Sequence, residues 1–111
     1  MSNKNPRLVP AIRRLLLESI RLDFQPAENL MNETVEQYVQ RLRSGEILPA
    51  LKVRYDGQQY FLEDGFHRLE AAKRCGHETV KVEVSPGTLA DMEAEFRAYL
   101  TKVREGLKNG H

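Results

Sequence analysis

The chain has 111 residues, which predicts a single domain over residues 1–111 with one hydrophobic core. Hydrophobic residues make up 41% of the chain and charged residues 30%, as in soluble globular proteins, and no apolar run reaches the roughly 20 residues of a membrane span. Seventeen basic residues against sixteen acidic ones leave a net charge of +1, so the field of the whole molecule gives little attraction for DNA.

The first part of the chain predicts a strand, a loop and a helix. Residues 12–17 favour a strand, with a helix as the alternative for the same run. Residues 23–32 contain a proline and two asparagines, which is typical of a loop. Asn32 is expected to cap a helix over residues 33–44 that ends at Gly45. The apolar positions of this helix recur at three- and four-residue spacings and are expected to face the core: Val35, Tyr38, Val39 and Leu42.

A β-hairpin follows. Residues 51–55 alternate between apolar and polar side chains, and Asp56-Gly57 separates them from a second strand-like run at residues 59–62. Asp-Gly between two such runs predicts a turn, because glycine accepts a positive φ at little cost. The second strand therefore leads into Asp64-Gly65, which lie at the start of the next helix.

That next helix, predicted over residues 66–75 and ended by Gly76, has the features of a phosphate site. The first turn of a helix has unpaired N–H groups and the positive end of the macrodipole, and Gly65 lets an anion approach the backbone closely. Arg68 can clamp two phosphate oxygens, and His67 can donate to a phosphate or be a hydrogen-bonded structural residue. The predicted phosphate-binding residues are Gly65, Phe66, His67 and Arg68.

Two carboxylates precede this helix. Asp64 is expected to be its N-cap, and in the alternative Asp64 or Glu63 holds Mg²⁺ beside the phosphates. A carboxylate so close to a triphosphate would repel it unless a cation intervened, so binding is expected to depend on Mg²⁺. Upstream of the hairpin, Ile47, Leu48 and Pro49 are candidates for the wall of a base or ribose pocket, with burial in the core as the ordinary alternative.

The end of the chain predicts a strand over residues 80–84 and an amphipathic helix over residues 88–107, with Thr88 as its cap. We expect this helix to cover the sheet of its own domain, since amphipathic helices usually bury their apolar face locally. The alternative is a helix that forms a homodimer, because the stripe runs over four turns or more between charged residues. The stripe consists of Leu89, Met92, Phe96, Tyr99, Leu100, Val103 and Leu107.

The order of these elements is distinctive. A first strand, a loop and a helix lead to the proline-containing run at residues 48–50, the hairpin, the helix start Gly65-Phe66-His67-Arg68, the pair Ala71-Ala72, Gly76 and a closing strand. From about residue 15 to residue 84 this pattern resembles the N-terminal domain shared by ParB partition proteins and sulfiredoxin. The resemblance implies an α+β fold with a small mixed β-sheet, a core over about residues 12–85, and binding of CTP or ATP/ADP phosphates at residues 65–68.

The chain also departs from both relatives. Phe66 stands where the resemblance would place the catalytic cysteine of sulfiredoxin, and phenylalanine cannot be a thiolate nucleophile. The single cysteine of the chain, Cys75, lies at the far end of the helix and is expected to be a small core residue. The arginine-rich helix start of the partition proteins becomes Gly65-Phe66-His67-Arg68 here, and their second phosphate motif and helix-turn-helix are not recognisable after Val84.

Three functional classes remain open. The leading prediction is a nucleotide-binding domain with a regulatory or partition-like role. The first alternative is an ATPase or small-molecule phosphotransferase, with a general base among Glu28, Glu63 and Asp64. The second is a DNA-binding or nuclease module, which the near-neutral charge disfavours. One cysteine and a polar start at residues 1–6 predict a cytoplasmic protein without a disulfide.

Overall fold

The computed structural model describes residues 11–24 and 30–109. Glu28 and half of the loop predicted at residues 23–32, namely residues 25–29, lie outside the described residues. The elements in chain order are β1 (Ala11–Leu16), a short 3₁₀ turn (Leu17–Ser19), β2 (Ile20–Arg21), α1 (Asn32–Arg43), β3 (Leu51–Tyr55), β4 (Tyr60–Asp64), α2 (Phe66–Arg74), β5 (Thr79–Pro86) and α3 (Leu89–Asn109).

The strands form one five-stranded mixed sheet in the order β1-β5-β3-β4-β2. The pairs β1–β5 and β3–β4 are antiparallel, whereas β3–β5 and β2–β4 are parallel. A parallel pair requires a crossover connection, and α2 supplies it between the hairpin and β5. This arrangement confirms the predicted α+β fold with a small mixed sheet, and it confirms a strand rather than a helix at the first apolar run.

The hairpin is confirmed, and its turn has the expected chemistry. Gly57 has a φ of 105°, which glycine adopts readily. The Asp56 carboxylate accepts hydrogen bonds from the backbone N–H groups of Gln59 at 2.7 Å and Gln58 at 2.8 Å. These bonds lower the pKa of Asp56 below its ordinary value. The inward residues Leu51 and Val53 are buried, as the alternation predicts.

Helices α1 and α2 pack against each other, and an arginine links their surfaces. Val35 and Val39 of α1 are buried together with Ala71 of α2. The Arg74 guanidinium, at the end of α2, donates to Asn32 Oδ1 at 2.9 Å. The prediction that Asn32 caps α1 is wrong, because Asn32 is the first helical residue and Met31 is the N-cap. The Asn32 side chain bonds across to α2 instead of to its own backbone.

The main core lies between the sheet and α2. Phe66, Leu69 and Ala72 of α2 are buried against the sheet, and Ala71 is buried against α1. Cys75 is half-buried next to the α1–α2 cluster, which agrees with its expected packing role. The core between sheet and helix consists of Ile20, Leu51, Val53, Leu62, Phe66, Leu69, Ala72, Val80 and Val82.

Helix α3 begins with a reciprocal cap. The Asp91 N–H donates to Thr88 Oγ1, and the Thr88 N–H donates to Asp91 Oδ2, both at 3.0 Å. Thr88 is therefore the cap that the sequence predicts, and these bonds lower the pKa of Asp91. The expectation that α3 covers its own sheet is wrong beyond its first turn. Met92 is buried, whereas every residue from 93 to 107 is exposed.

Over residues 11–24 and 30–109, no helix is long and apolar enough to cross a membrane.

Candidate functional site

Gly65 makes the turn from β4 into α2. Its backbone is left-handed, with φ of 110° and ψ of 25°, and its carbonyl accepts the first helical hydrogen bond from the Leu69 N–H at 2.8 Å. A Cβ at this position would lie 2.5 Å from Leu51 Cδ2, so the space admits only glycine. Gly65 is thus the N-cap, and the prediction that Asp64 caps the helix is wrong. Asp64 ends β4 instead, with a side chain that is 65% exposed.

Arg68 lies in the first turn of α2 and holds the segment before β3. Its Nη1 donates to the carbonyl oxygen of Pro49 at 2.8 Å and to that of Ala50 at 3.1 Å. Its Nη2 lies 3.6 Å from Asp64 Oδ2, and the side chain is only 14% exposed. Arg68 is therefore a fixed cation whose Nη1 is committed to the backbone and whose Nη2 faces a carboxylate.

His67 joins the starts of the two helices. Its Nε2 accepts a hydrogen bond from the backbone N–H of Met31 at 3.1 Å. A nitrogen that accepts a hydrogen bond carries no proton, so in this arrangement the ring N–H is on Nδ1. The structural role that the sequence left open is therefore present, and the Nδ1–H is the donor that this ring can offer to a ligand.

The residues predicted to bind phosphate surround one cavity. It has a volume of about 280 Å³ and lies against the N-terminus of α2. Two α1 residues, Thr34 and Tyr38, complete its wall, and sequence reasoning missed both. Tyr38 was assigned to the core stripe of α1 from its spacing, and nothing local indicates that it also borders a cavity. The full lining is Thr34, Tyr38, Asp64, Gly65, Phe66, His67 and Arg68.

An adjacent cavity of about 410 Å³ shares Tyr38, Asp64 and Arg68 with the first. It adds two further cations, Arg41 from α1 and Lys52 from β3. The Arg41 guanidinium lies 5.4 Å from the centre of the Tyr38 ring. The two cavities together form a trough lined by three cations, and we call it the α2 trough.

The structure does not bring the two predicted metal ligands together. Glu63 and Asp64 are neighbours on β4, and successive strand residues point to opposite faces. Glu63 accepts from Arg54 Nε at 3.0 Å and from Nη2 at 3.2 Å, while Asp64 faces Arg68 and lines the α2 trough. Within residues 11–24 and 30–109, no three His, Cys, Asp or Glu side chains form a group that could hold a metal ion.

Arg54 connects the sheet to α3. Besides Glu63, it donates to Glu95 Oε1 at 2.6 Å, and its side chain is 15% exposed. Burial opposes the charge of Arg54, but the hydrogen bonds to Glu95 and Glu63 outweigh it and raise the pKa of Arg54. Glu63 therefore belongs to the anchor of α3, on the side of β4 opposite Asp64.

The predicted wall residues line a third cavity, of about 230 Å³, to which Arg68 also contributes. Ile47 is 87% exposed, so the alternative of burial in the core is wrong for this residue. Leu48 is half-buried and Pro49 is exposed. This cavity also contains basic side chains that the sequence did not connect with Ile47: Arg14, His77 and Lys81.

Comparisons with known proteins agree on the fold. No match is found among the curated proteins. Sulfiredoxin from Arabidopsis thaliana superposes with a TM-score of 0.66 at 24% identity, over 82% of this chain and 98% of that one. C-terminally truncated ParB from Caulobacter crescentus, complexed with CTP-γ-S, gives a TM-score of 0.60 at 24% identity, over 74% of this chain and 48% of that one.

The same bacterial ParB complexed to the centromeric parS site gives a TM-score of 0.56 at 24% identity, over 72% of this chain and 42% of that one. This chain thus spans less than half of the truncated ParB proteins that it matches. The family model for the ParB N-terminal domain matches residues 2–101. The chain therefore belongs to the ParB N-terminal domain family.

Proposed function

We propose that this chain is a nucleotide-binding domain that holds the phosphates of CTP or of ATP/ADP, with Mg²⁺, in the α2 trough. The observation that carries the proposal is the left-handed Gly65 cap, which leaves the first turn of α2 open to a cavity beside Arg68. A structural neighbour in the same family holds a CTP analogue, which supports a nucleotide as the ligand.

The charges of the trough favour an anion at the start of α2. The first-turn N–H groups and the helix dipole attract negative charge, and the N-cap residue, Gly65, has no side chain that would occupy this end of the helix. Arg68, Arg41 and Lys52 place three cations along the trough, against the two carboxylates of Asp64 and Glu83. The Nη2 of Arg68 can turn from Asp64 to a phosphate oxygen at small cost, since the 3.6 Å pair is longer than a charged hydrogen bond.

Asp64 suits a magnesium ion bound together with phosphates. Mg²⁺ in nucleotide sites commonly takes one or two carboxylates, phosphate oxygens and several waters. Asp64 is an exposed carboxylate that borders both parts of the trough, and it would hold the ion between itself and the phosphates. Without the ion it would repel them, so affinity is expected to fall when a chelator is added.

The arrangement favours binding over chemistry, in keeping with a regulatory or partition-like role. Phosphoryl transfer requires a group that positions or deprotonates the nucleophile. Of the predicted bases in the described residues, Glu63 is bonded to Arg54 outside the trough. Asp64 is the remaining one, and as a magnesium ligand it would be a poor base. Among the predicted bases that the structure describes, the ATPase or phosphotransferase alternative therefore depends on Asp64 acting without that ion.

Calorimetric titration of CTP, ATP and ADP, with Mg²⁺ and with a chelator, tests the proposal. Arg68→Lys keeps the charge but cannot span two acceptors, so we expect affinity to fall on the order of tenfold. Arg74→Lys is the matched control, because it makes the same change at the far end of the same helix and should leave affinity unchanged. Release of phosphate, measured in the same samples, would favour the enzyme alternative.

Two results would contradict the proposal. One is the absence of saturable binding by all three nucleotides to a protein whose folding is verified by circular dichroism. The other is equal nucleotide affinity of the Arg68→Lys and Arg74→Lys variants, which would mean that the nucleotide does not bind in the α2 trough. Duplex DNA binding with a steep salt dependence, together with no nucleotide binding, would favour the DNA-binding alternative instead.

A further inference from the structure

The third cavity, of about 230 Å³, combines apolar and basic side chains. Its lining includes three buried core residues, each at most 8% exposed: Leu51, Ala72 and Val80. It also includes three exposed residues with basic groups: Arg14, His77 and Lys81. Binding pockets for small molecules typically have this composition, a largely apolar lining with a few polar groups that fix the orientation of the ligand.

Two cations of this cavity lie opposite each other across a strand pair. Arg14 of β1 is the register partner of Lys81 of β5 in the antiparallel ladder. Residues in such positions have Cβ atoms about 4.5–5.5 Å apart, and like charges there are destabilising. Over residues 11–24 and 30–109, no carboxylate forms an ion pair with either of them. An anion bound between Arg14 and Lys81 would relieve this repulsion.

The other charged groups of the cavity already have partners. Glu46 is the one carboxylate among the described lining residues, and it accepts a hydrogen bond from Arg41 Nε at 2.8 Å. The Nη1 of Arg68 donates to the carbonyls of Pro49 and Ala50. Arg14 itself donates from Nε to Thr79 Oγ1 at 3.2 Å, which positions the guanidinium without neutralising it. The positive charge that remains uncompensated in the cavity therefore comes from Arg14 and Lys81.

The segment before β3 offers apolar side chains to a ligand in this cavity. Ile47 lines the cavity but is 87% exposed, and Leu48 beside it is half-buried. Residues 46–50 belong to no helix or strand, so their backbone can adjust to a ligand without breaking a ladder or a helical turn. An apolar group that covered Ile47 and Leu48 would remove their surface from water, which is favourable.

We propose that the third cavity binds a small carboxylic acid with an apolar body, its carboxylate between Arg14 and Lys81 and its body against Leu48 and Val80. A guanidinium matches a carboxylate in geometry, and one negative charge suits a cavity that is otherwise largely apolar. The volume lies below the roughly 300–1,000 Å³ of pockets for drug-sized ligands, which limits the ligand to a small molecule.

This site is distinct from the α2 trough. Pro49 and Arg68 border both, whereas the other lining residues of the third cavity do not line the trough. The proposal therefore does not rest on nucleotide binding, and it is tested in the protein without nucleotide.

Titration with phenylacetate, followed by backbone amide NMR, tests the composition of the site. We expect saturable shifts at residues 46–49 and 77–81 with a Kd in the millimolar range, since the ligand is small. Phenylacetamide lacks the charge and acetate lacks the apolar body, so each should bind on the order of tenfold more weakly. No saturable shift with phenylacetate at tens of millimolar, or equal affinity for phenylacetamide, would overturn the proposal.

A charge reversal tests the position of the carboxylate. Lys81→Glu places a carboxylate opposite Arg14, so the variant should keep its fold, verified by circular dichroism, and lose phenylacetate binding. Lys102→Glu is the matched control, because it makes the same change at an exposed residue of α3 that lines none of the three cavities. Equal effects of the two variants on phenylacetate affinity would refute the site.

Competition separates this proposal from nucleotide binding. If CTP or ATP with Mg²⁺ displaces phenylacetate and shifts the same amides, the cavity is part of the nucleotide site and the separate carboxylate site is wrong. If neither nucleotide binds at all, the proposed function fails, while saturable phenylacetate binding that Lys81→Glu removes would still support the carboxylate site.

Discussion

The Gly65→Ala substitution tests whether the start of α2 requires a glycine for two separable reasons. The first reason is the backbone, since a φ of 110° is strained for any residue with a Cβ. The second is space, because the new Cβ would lie 2.5 Å from Leu51 Cδ2. Leu51 is only 3% exposed, so its methyl group cannot swing into solvent to avoid the contact.

The two terms can be estimated separately. Backbone strain for alanine in the left-handed region costs about 1–2 kcal/mol. Overpacking against a buried side chain costs about 1–3 kcal/mol. We therefore expect Gly65→Ala to lower the free energy of unfolding by about 2–5 kcal/mol if the terms add. A loss of this size is a large fraction of the stability of a small domain.

Gly57 supplies the matched control. It has nearly the same φ, 105°, but a Cβ there would meet nothing within 4 Å. Gly57→Ala should therefore show the backbone term alone, about 1–2 kcal/mol. Urea unfolding followed by circular dichroism measures both variants. If Gly65→Ala costs no more than Gly57→Ala, the contact with Leu51 does not exclude a side chain and the argument for a required glycine fails.

Two further predictions concern acid stability and the junction of the helices. The carboxyl pKa values of Asp56 and Asp91 are lowered from 3.8 in the folded protein, so their stabilising contribution is complete above that value and is lost as pH falls through the folded pKa. On acidification, the melting temperature of Asp56→Asn and of Asp91→Asn should fall less steeply than that of the wild type. An equally steep fall would contradict this reasoning. His67→Leu removes the acceptor of the Met31 N–H and should cost about 0.5–1.5 kcal/mol, the net contribution of one hydrogen bond. His77→Leu, measured by the same urea unfolding, should cost little because His77 is exposed. Equal costs of the two variants would contradict the structural role of His67.

Local patterns in the sequence predicted most of the helices and strands. The alternation before Asp56-Gly57 requires one face of β3 to be buried, and the structure buries Leu51 and Val53. The three- and four-residue spacing in α1 placed Val35 and Val39 in the core. These signals work because they depend on residues close together in the chain. β2 escaped prediction, because its two residues form a strand only by pairing with distant β4.

The sequence predicted which residues form the candidate site, but it did not predict their hydrogen-bond partners. Residues 65–68 and Asp64 all border one cavity, as the helix start indicates. The partners of Arg68, the carbonyls of Pro49 and Ala50, lie nineteen and eighteen residues away in the chain. They could not be predicted, because every residue has a backbone carbonyl and no residue type identifies the one that accepts. The predicted caps Asn32 and Asp64 were wrong for a related reason, since a tertiary hydrogen bond of Asn32 and the turn at Gly65 decide which residue precedes each helix.

The last two residues of β4, Glu63 and Asp64, contact different parts of the molecule. Glu63 points to Arg54, which also holds Glu95 of α3, whereas Asp64 points to Arg68 and the α2 trough. The alternation of strand side chains keeps these contacts on opposite faces. A substitution at Glu63 should therefore weaken the attachment of α3, and one at Asp64 should alter ion and phosphate binding. Glu63 and Asp64 are joined by one peptide bond, so a shift of β4 that alters the Glu63–Arg54 contact would also move Asp64 relative to Arg68.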